Sequence, residues 1–189
     1  MIIVVANAIS NSRQSAKQQF QQTIGVAKQQ FAQGVGAAKA EFSGGIDGAR
    51  SRLLGRKAPS KVWLLNTLSN LLEPIHYVGG IEGAVCLYLN QENCVMDVQH
   101  WVGDINSVPM PPDEITGHAR AIGAASIAIA HNHPNNSPTP SDQDIWHGAN
   151  LKANLESEGI RLAEDHVWCH NQYKSVLNTR RFKDLSRPV

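Results

Sequence analysis

The apolar positions follow two different rhythms along the chain. In the first part, "AKQQF" at 16–20 returns as "AKQQF" at 27–31 and as "AKAEF" at 38–42, a period of 11 residues. Phe20, Phe31 and Phe42 recur in step, with Ile24, Val35 and Ile46 four positions after them. Eleven residues are close to three α-helical turns, so these side chains form one stripe with little drift. Gly25, Gly34, Gly36, Gly44 and Gly45 each weaken a helix by about 1 kcal/mol relative to Ala. The pattern predicts a marginal amphipathic helix from about 12 to 43.

After "GRKAPSK" (55–61) the rhythm changes. "KVWLLNTLSNLLE" sets Leu64, Leu65, Leu68, Leu71 and Leu72 on one helical face, and Pro74 predicts its end. "GAVCLYLN" (83–90), a turn at "QEN", and "CVMDVQHWVG" read as a β-hairpin. "PPDEITGHARAIGA" opens with Pro and acids, as helix N-termini do. "ASIAIA" is an apolar strand running into His131. "SDQDIWHGANLKANLESEG" is a helix stopped by Gly159. "IRLAEDHVWC", a turn at "HNQ", and "YKSVLN" supply the last strands. Interleaved strands and helices predict one mixed sheet, an α/β domain. The organisation expected is an arm over 1–58 and a domain over 59–189.

Composition narrows the class. Hydrophobic residues are 42% and charged residues 17%, which suits a globular chain and not a disordered one. No apolar run approaches the ~20 residues that span a bilayer. "MIIVVANAIS" has no basic stretch before it, so it does not read as a secretory signal, and a cytoplasmic protein is expected, with export as cargo of a larger system as the alternative. Cys86, Cys94 and Cys169 are an odd number without a CxxC pair, which fits free thiols in a reducing compartment. The net charge of +1 hides an asymmetry: residues 1–57 carry eight Lys/Arg against Glu41 and Asp47, or +6, and the remainder carries −5. A basic amphipathic arm fits docking on its own domain or a partner, a membrane surface, or phosphates.

The candidate chemistry lies in "HNHPNNSPTPSDQD", 131–144. His131 and His133, two apart at a strand's exit, point to the same face. Two imidazoles on one face suit a divalent metal, with a third ligand from elsewhere. Asp144 is eleven residues after His133 in the first turn of the next helix, across a loop stiffened by Pro134, Pro138 and Pro140. Two His, one carboxylate and an open position is a catalytic zinc pattern. The competing reading is a strand end followed by a capped helix, because Ser141-x-x-Asp144 also fits a capping box. The two readings are compatible.

The segment resembles the JAMM (JAB/MPN+) metalloprotease motif, His-x-His followed by Ser-x-x-Asp. It is most similar to the RadC-like branch, in His131-Asn132-His133-Pro134, Pro138-Thr139-Pro140-Ser141 and Asp144-Ile145. The similarity extends over "EGAVCLYLNQEN", "GDINSVPMPPDEI" and "EDHVWC…YKSV", roughly residues 75–177. Asn135-Asn136 stands where that branch usually has Ser-Gly, and the repeat arm stands where a helix-hairpin-helix region often precedes the domain.

The resemblance implies a JAB/MPN-like (cytidine-deaminase-like) mixed β-sheet flanked by helices. It implies one Zn²⁺ per chain on His131, His133 and Asp144, Glu82 as general base, and Ser141 as a hydroxyl donor. Gly79, Gly80 and Gly83 are expected to give the Glu82 segment its freedom; Glu73, Glu92 and Asp97 are poorer bases. Asp142 is expected to act as a helix-dipole partner, and Asn132 and Asn135 as candidates to support the imidazoles. His118 and His147 are expected on helix surfaces, His166 in a structural role and His170 in a turn. His76 and His100 have no partner at a ligand spacing. Trp63, Trp101, Trp146 and Trp168 are expected in the core, and "RRFKDLSR" as a solvated basic tail. The activity implied is hydrolysis of peptide or isopeptide bonds in a protein or peptide substrate. The alternatives are a nucleic-acid-processing protein, which the acidic body disfavours, and a non-catalytic JAB interaction module.

Overall fold

The computed structural model describes residues 2–76, 80–104, 107–135, 137–170 and 172–185, with side chains from residue 18 onward. Gly79, Asn136 and Asn171, singled out above or within the predicted turns, lie outside the described residues. The chain forms two compact units, Met1–Ala38 and Lys39–Val189.

The repeat region is helical over a longer span than its glycines predict: α1 runs Ile2–Leu53. In the first unit Phe20 and Phe31 are 63% and 61% exposed. The last turns of α1 belong to the second unit, where Phe42, Ile46 and Ala49 are buried. Residues 39–58, the end of the arm read from sequence, therefore lie in the second unit. The edge of Phe42 meets His100 at 5.6 Å between ring centroids. This packing supplies the tertiary support that a glycine-weakened helix lacks on its own. The boundary stretch is also held: Gly55 N–H donates to Val95 O, Val95 N–H to Arg56 O, and Ala58 N–H to Asn93 O.

The next helix, α2 (Lys61–His76), contains Pro74 rather than ending at it. A proline so near the C-terminus removes one N–H from the last turn, and the burial of Ile75 and His76 keeps that turn in place. The predicted hairpin is β1 (Gly83–Leu89) and β2 (Val95–Val102). Then follow α3 (Pro112–Ala121), β3 (Ser126–Asn132), α4 (Asp142–Ser157), β4 (Arg161–Cys169), β5 (Gln172–Ser175) and α5 (Arg180–Leu185). They form one mixed sheet in the order β2-β1-β3-β4-β5, in which only β3 and β4 are parallel.

Both faces of the sheet centre are covered, so β1 and β3 are buried at every position. Cys86, Tyr88, Ile127 and Ile129 face Ile115 and Ala119 of α3 and Leu151 and Leu155 of α4. On the other face α2 packs against the sheet, and a Cβ on Gly83 would come within 3.0 Å of Ile75. A side chain at position 83 would therefore press on Ile75, whereas at position 80, with φ 80°, the backbone conformation itself favours glycine. Among the described residues, no helix is long and apolar enough to cross a membrane.

Some surface assignments change. Trp146 is 63% exposed, not core. Asp142 pairs with Arg181 of α5, so the basic tail is partly folded and anchored by buried Phe182.

Candidate metal centre

Strand β3 carries His131 near its C-terminal end, and His133 follows one residue past that end. His133 is held there by its N–H to Trp168 O at 3.2 Å. Register pairs His131 with Ala84 and Val167, which places it on the α3/α4 face. Both imidazoles are buried, at 2% and 6% exposure. Ser141 caps α4: its Oγ accepts from Asp144 N–H at 3.2 Å, and Asp144 Oδ2 accepts from Ser141 N–H at 2.6 Å. The capping box anticipated in the sequence is thus real. It also orients Asp144, whose Oδ1 lies 3.1 Å from His131 Nε2 and whose Oδ2 lies 3.2 Å from His133 Nε2.

The two Nε2 atoms are 3.2 Å apart. Ligands on a tetrahedral zinc with bonds of about 2.0–2.1 Å are separated by about 3.3 Å. The three donors therefore fit a first-row cation without rearrangement. His133 Nδ1–H can donate to Ser137 O at 3.0 Å, which leaves its Nε2 lone pair directed at the cluster. His131 Nδ1 is buried without a hydrogen-bond partner among the described residues.

Electrostatics tighten the cluster in the metal-free protein. Burial opposes charge on His131, but the hydrogen bond and charge of Asp144, with Asp165 and Glu82 behind, outweigh it and raise its pKa. Burial would raise Asp144, but hydrogen bonds from His131 and His133 and the Ser141 N–H hold it well below the usual carboxylate range. Glu82 lines the same cavity, of about 360 Å³, together with Ser141 and the three cluster residues. Burial raises the Glu82 pKa against the pull of His131 and His133, with Asp144 and Asp104 adding to the rise. Glu82 is thus poised to hold a proton more readily than a solvated glutamate.

Asn132, expected beside the imidazoles, does something else. Its Oδ1 accepts from Gly83 N–H at 2.7 Å and its Nδ2 donates to Ile81 O at 3.0 Å. The residue between the two histidines therefore clamps the backbone on both sides of Glu82. Glu82 N–H donates to Asp104 O, and Glu82 O accepts from Gly103 N–H, both at 2.8 Å. This is how a carboxylate from before β1 is aimed at a cluster more than forty residues later.

Other assignments are confirmed or corrected. Asp97 is engaged elsewhere, by Arg50 at 2.6 Å and His118 at 2.8 Å. His147, expected on a surface, lines the cavity, bonds Met110 O through Nε2, and has its pKa lowered chiefly by burial. It lies three residues after Asp144, a helical spacing that signals a shared face. Asp165 is buried under Gly148, where a Cβ would come within 2.6 Å of its Oδ2, and burial raises its pKa to about 7. His166 is buried beside Glu164, with its pKa lowered to about 4, chiefly by burial.

Comparison with known proteins places this geometry in a family context. A family model described as a RadC-like JAB domain matches residues 64–181. A UPF0758 protein of Carboxydothermus hydrogenoformans is 37% identical over 103 residues, 53% of this chain and 45% of the relative. One from Aquifex aeolicus is 33% identical over 98 residues, 50% of this chain and 41% of the relative. One from Bacillus pumilus is 45% identical over 65 residues, 34% of this chain and 29% of the relative. The chain spans less than half the length of these curated relatives.

Proposed function

Because the chain belongs to the RadC-like JAB domain family, we propose that it is a zinc-dependent hydrolase of amide bonds, a metallopeptidase or isopeptidase. The observation that carries this reading is one cavity lined by His131, His133, Asp144, Glu82 and Ser141. His131, His133 and Asp144 would hold the ion. Zinc supplies Lewis acidity and water activation when bound.

The chain's own groups account for the proton transfers. Glu82, with its raised pKa, accepts the proton of the attacking water and returns it to the leaving amine. The Ser141 Oγ lone pair accepts Asp144 N–H, which leaves its hydroxyl proton to donate to the oxygen that gains charge at the scissile carbonyl. His147 and Met110 line the approach. The lining includes Glu82, Asp142 and Asp144 and no Lys or Arg among the described residues. That charge supports a neutral amide substrate over a phosphodiester.

The test is Glu82→Gln, assayed on peptide and isopeptide-linked substrates beside metal analysis. The expected result is full zinc content and a loss of kcat of about 10²–10⁴-fold, the usual contribution of a positioned base. Unchanged hydrolysis with zinc retained would overturn the assignment. Zinc retained with no hydrolysis in either protein would favour the non-catalytic module.

A further inference from the structure

A second cluster of metal-ligating side chains gathers residues from the end of α2 and the end of β4. His76 is the last residue of α2, Cys169 is the last residue of β4, and His170 begins the turn into β5. His76 and Cys169 are buried, at 8% and 2% exposure, and His170 is exposed. His76 Nε2 and His170 Nδ1 are 3.1 Å apart. One ligand atom from each of the three residues lies within 4.8 Å of the others.

Two local features produce this meeting. His170 has φ 43°, in the left-handed region that non-glycine residues seldom enter. That conformation belongs to the turn that brings its ring edge-on to His76, with centroids 4.3 Å apart and planes at 87°. Trp168 pairs with Asn132 in the sheet and its ring packs at a steep angle against His76, with centroids 5.0 Å apart.

We propose that His76, Cys169 and His170 form a second metal site, selective for a borderline-soft first-row divalent cation such as zinc. The nitrogen separation repeats that of the first cluster within 0.1 Å, 3.1 against 3.2 Å. The donor set is one thiolate and two imidazoles. It suits zinc or cobalt and disfavours magnesium and calcium, which require oxygen ligands. Burial raises the Cys169 pKa, and a bound cation reverses this by deprotonating a coordinating thiol outright. The site joins the C-terminus of α2 to the end of β4. The inference does not depend on the hydrolase reading, because no atom of this cluster belongs to the first.

The competing arrangement is an N–H···N hydrogen bond between the two imidazoles, which makes no use of the thiol. Cobalt distinguishes the two. Metal-free full-length protein titrated with Co²⁺ is expected to bind two equivalents and to develop a near-ultraviolet thiolate-to-cobalt charge-transfer band. The His131→Ala/His133→Ala variant should keep the band and bind one equivalent. Cys169→Ser should lose the band and one equivalent. His170→Ala, at an exposed position, should weaken the second equivalent alone. Saturation of the wild-type protein at one equivalent without a thiolate band would overturn the proposal. A band that survives Cys169→Ser would do the same, by assigning the thiolate to Cys86 or Cys94.

Discussion

The two histidine pairs reach nearly the same nitrogen separation by opposite routes. His131 and His133 are two residues apart on one strand end, and the period of the strand alone puts them on one face. His76 and His170 are 94 residues apart. They meet because α2 ends against the strand end that holds Trp168 and a left-handed turn brings His170 around. The first pair has a carboxylate partner, opens onto a cavity and sits beside Glu82. The second has a thiol partner and no carboxylate in its ligand set. The difference separates roles: a carboxylate in a cavity beside a candidate base suits chemistry, whereas the second donor set joins the end of α2 to the end of β4.

The sharpest way to break the comparison is to remove the first pair. His131→Ala/His133→Ala should abolish hydrolysis and one metal equivalent while leaving the thiolate-bearing site loaded. If both equivalents disappear together in a protein that remains folded by circular dichroism, the clusters are coupled and the separation of roles fails.

Asn132 supplies a smaller effect on the same side. It touches neither substrate nor the cluster; it acts through the peptides flanking Glu82. Asn132→Ala leaves the Gly83 N–H and Ile81 O without their partner at a buried position, a cost of about 1–3 kcal/mol in stability. It should also lower kcat by about 10²-fold through misplacement of Glu82. KM and zinc content should stay near wild type. A purely structural Asn132 would lower stability without moving kcat of the folded fraction. A smaller local effect lies in the helix cap: Ser141→Ala should cost α4 about 1 kcal/mol, read from denaturant midpoints of metal-free protein.

Much of the first cluster was legible because its information is local. Strand alternation aligns His131 and His133, and the capping chemistry that starts α4 also delivers Asp144. The RadC-like similarity then supplied Glu82, which no spacing rule connects to the cluster. The β-hairpin, the strand before His131 and the helix after Ser141 were readable for the same local reason. What escaped depends on tertiary packing. Pro74 is a good stop signal, but burial of Ile75 and His76 carries α2 past it. The three Phe repeats are alike in sequence, yet Phe42 is 1% exposed while Phe31 is 61% exposed, because only the third has a core to enter. His76 has no partner at a ligand spacing in the sequence because pairing across 94 residues leaves no periodic trace.

The smallest expected effect is a difference in how the clusters respond to pH once the metal is removed. His131 has a raised folded-state pKa. Its contribution to stability is fully present below its unfolded value of about 6.5 and is lost as pH rises through the folded value. Asp144 is depressed, so its contribution persists above about 3.9 and fails only in strong acid. The first cluster therefore weakens the chelated protein on the alkaline side of neutrality. His76 has a lowered pKa, through burial first and the neighbouring His170 second. Its contribution is present above about 6.5 and is lost as pH falls through the folded value. The two clusters therefore fail on opposite sides of about pH 6.5, the first as pH rises above it and the second as pH falls below it. Urea midpoints of chelator-treated protein should show His131→Asn removing part of the alkaline decline and His76→Asn removing part of the acid decline. Parallel shifts in both variants would mean that the two histidine pairs do not differ in protonation, and that the contrast between them rests on ligand chemistry alone.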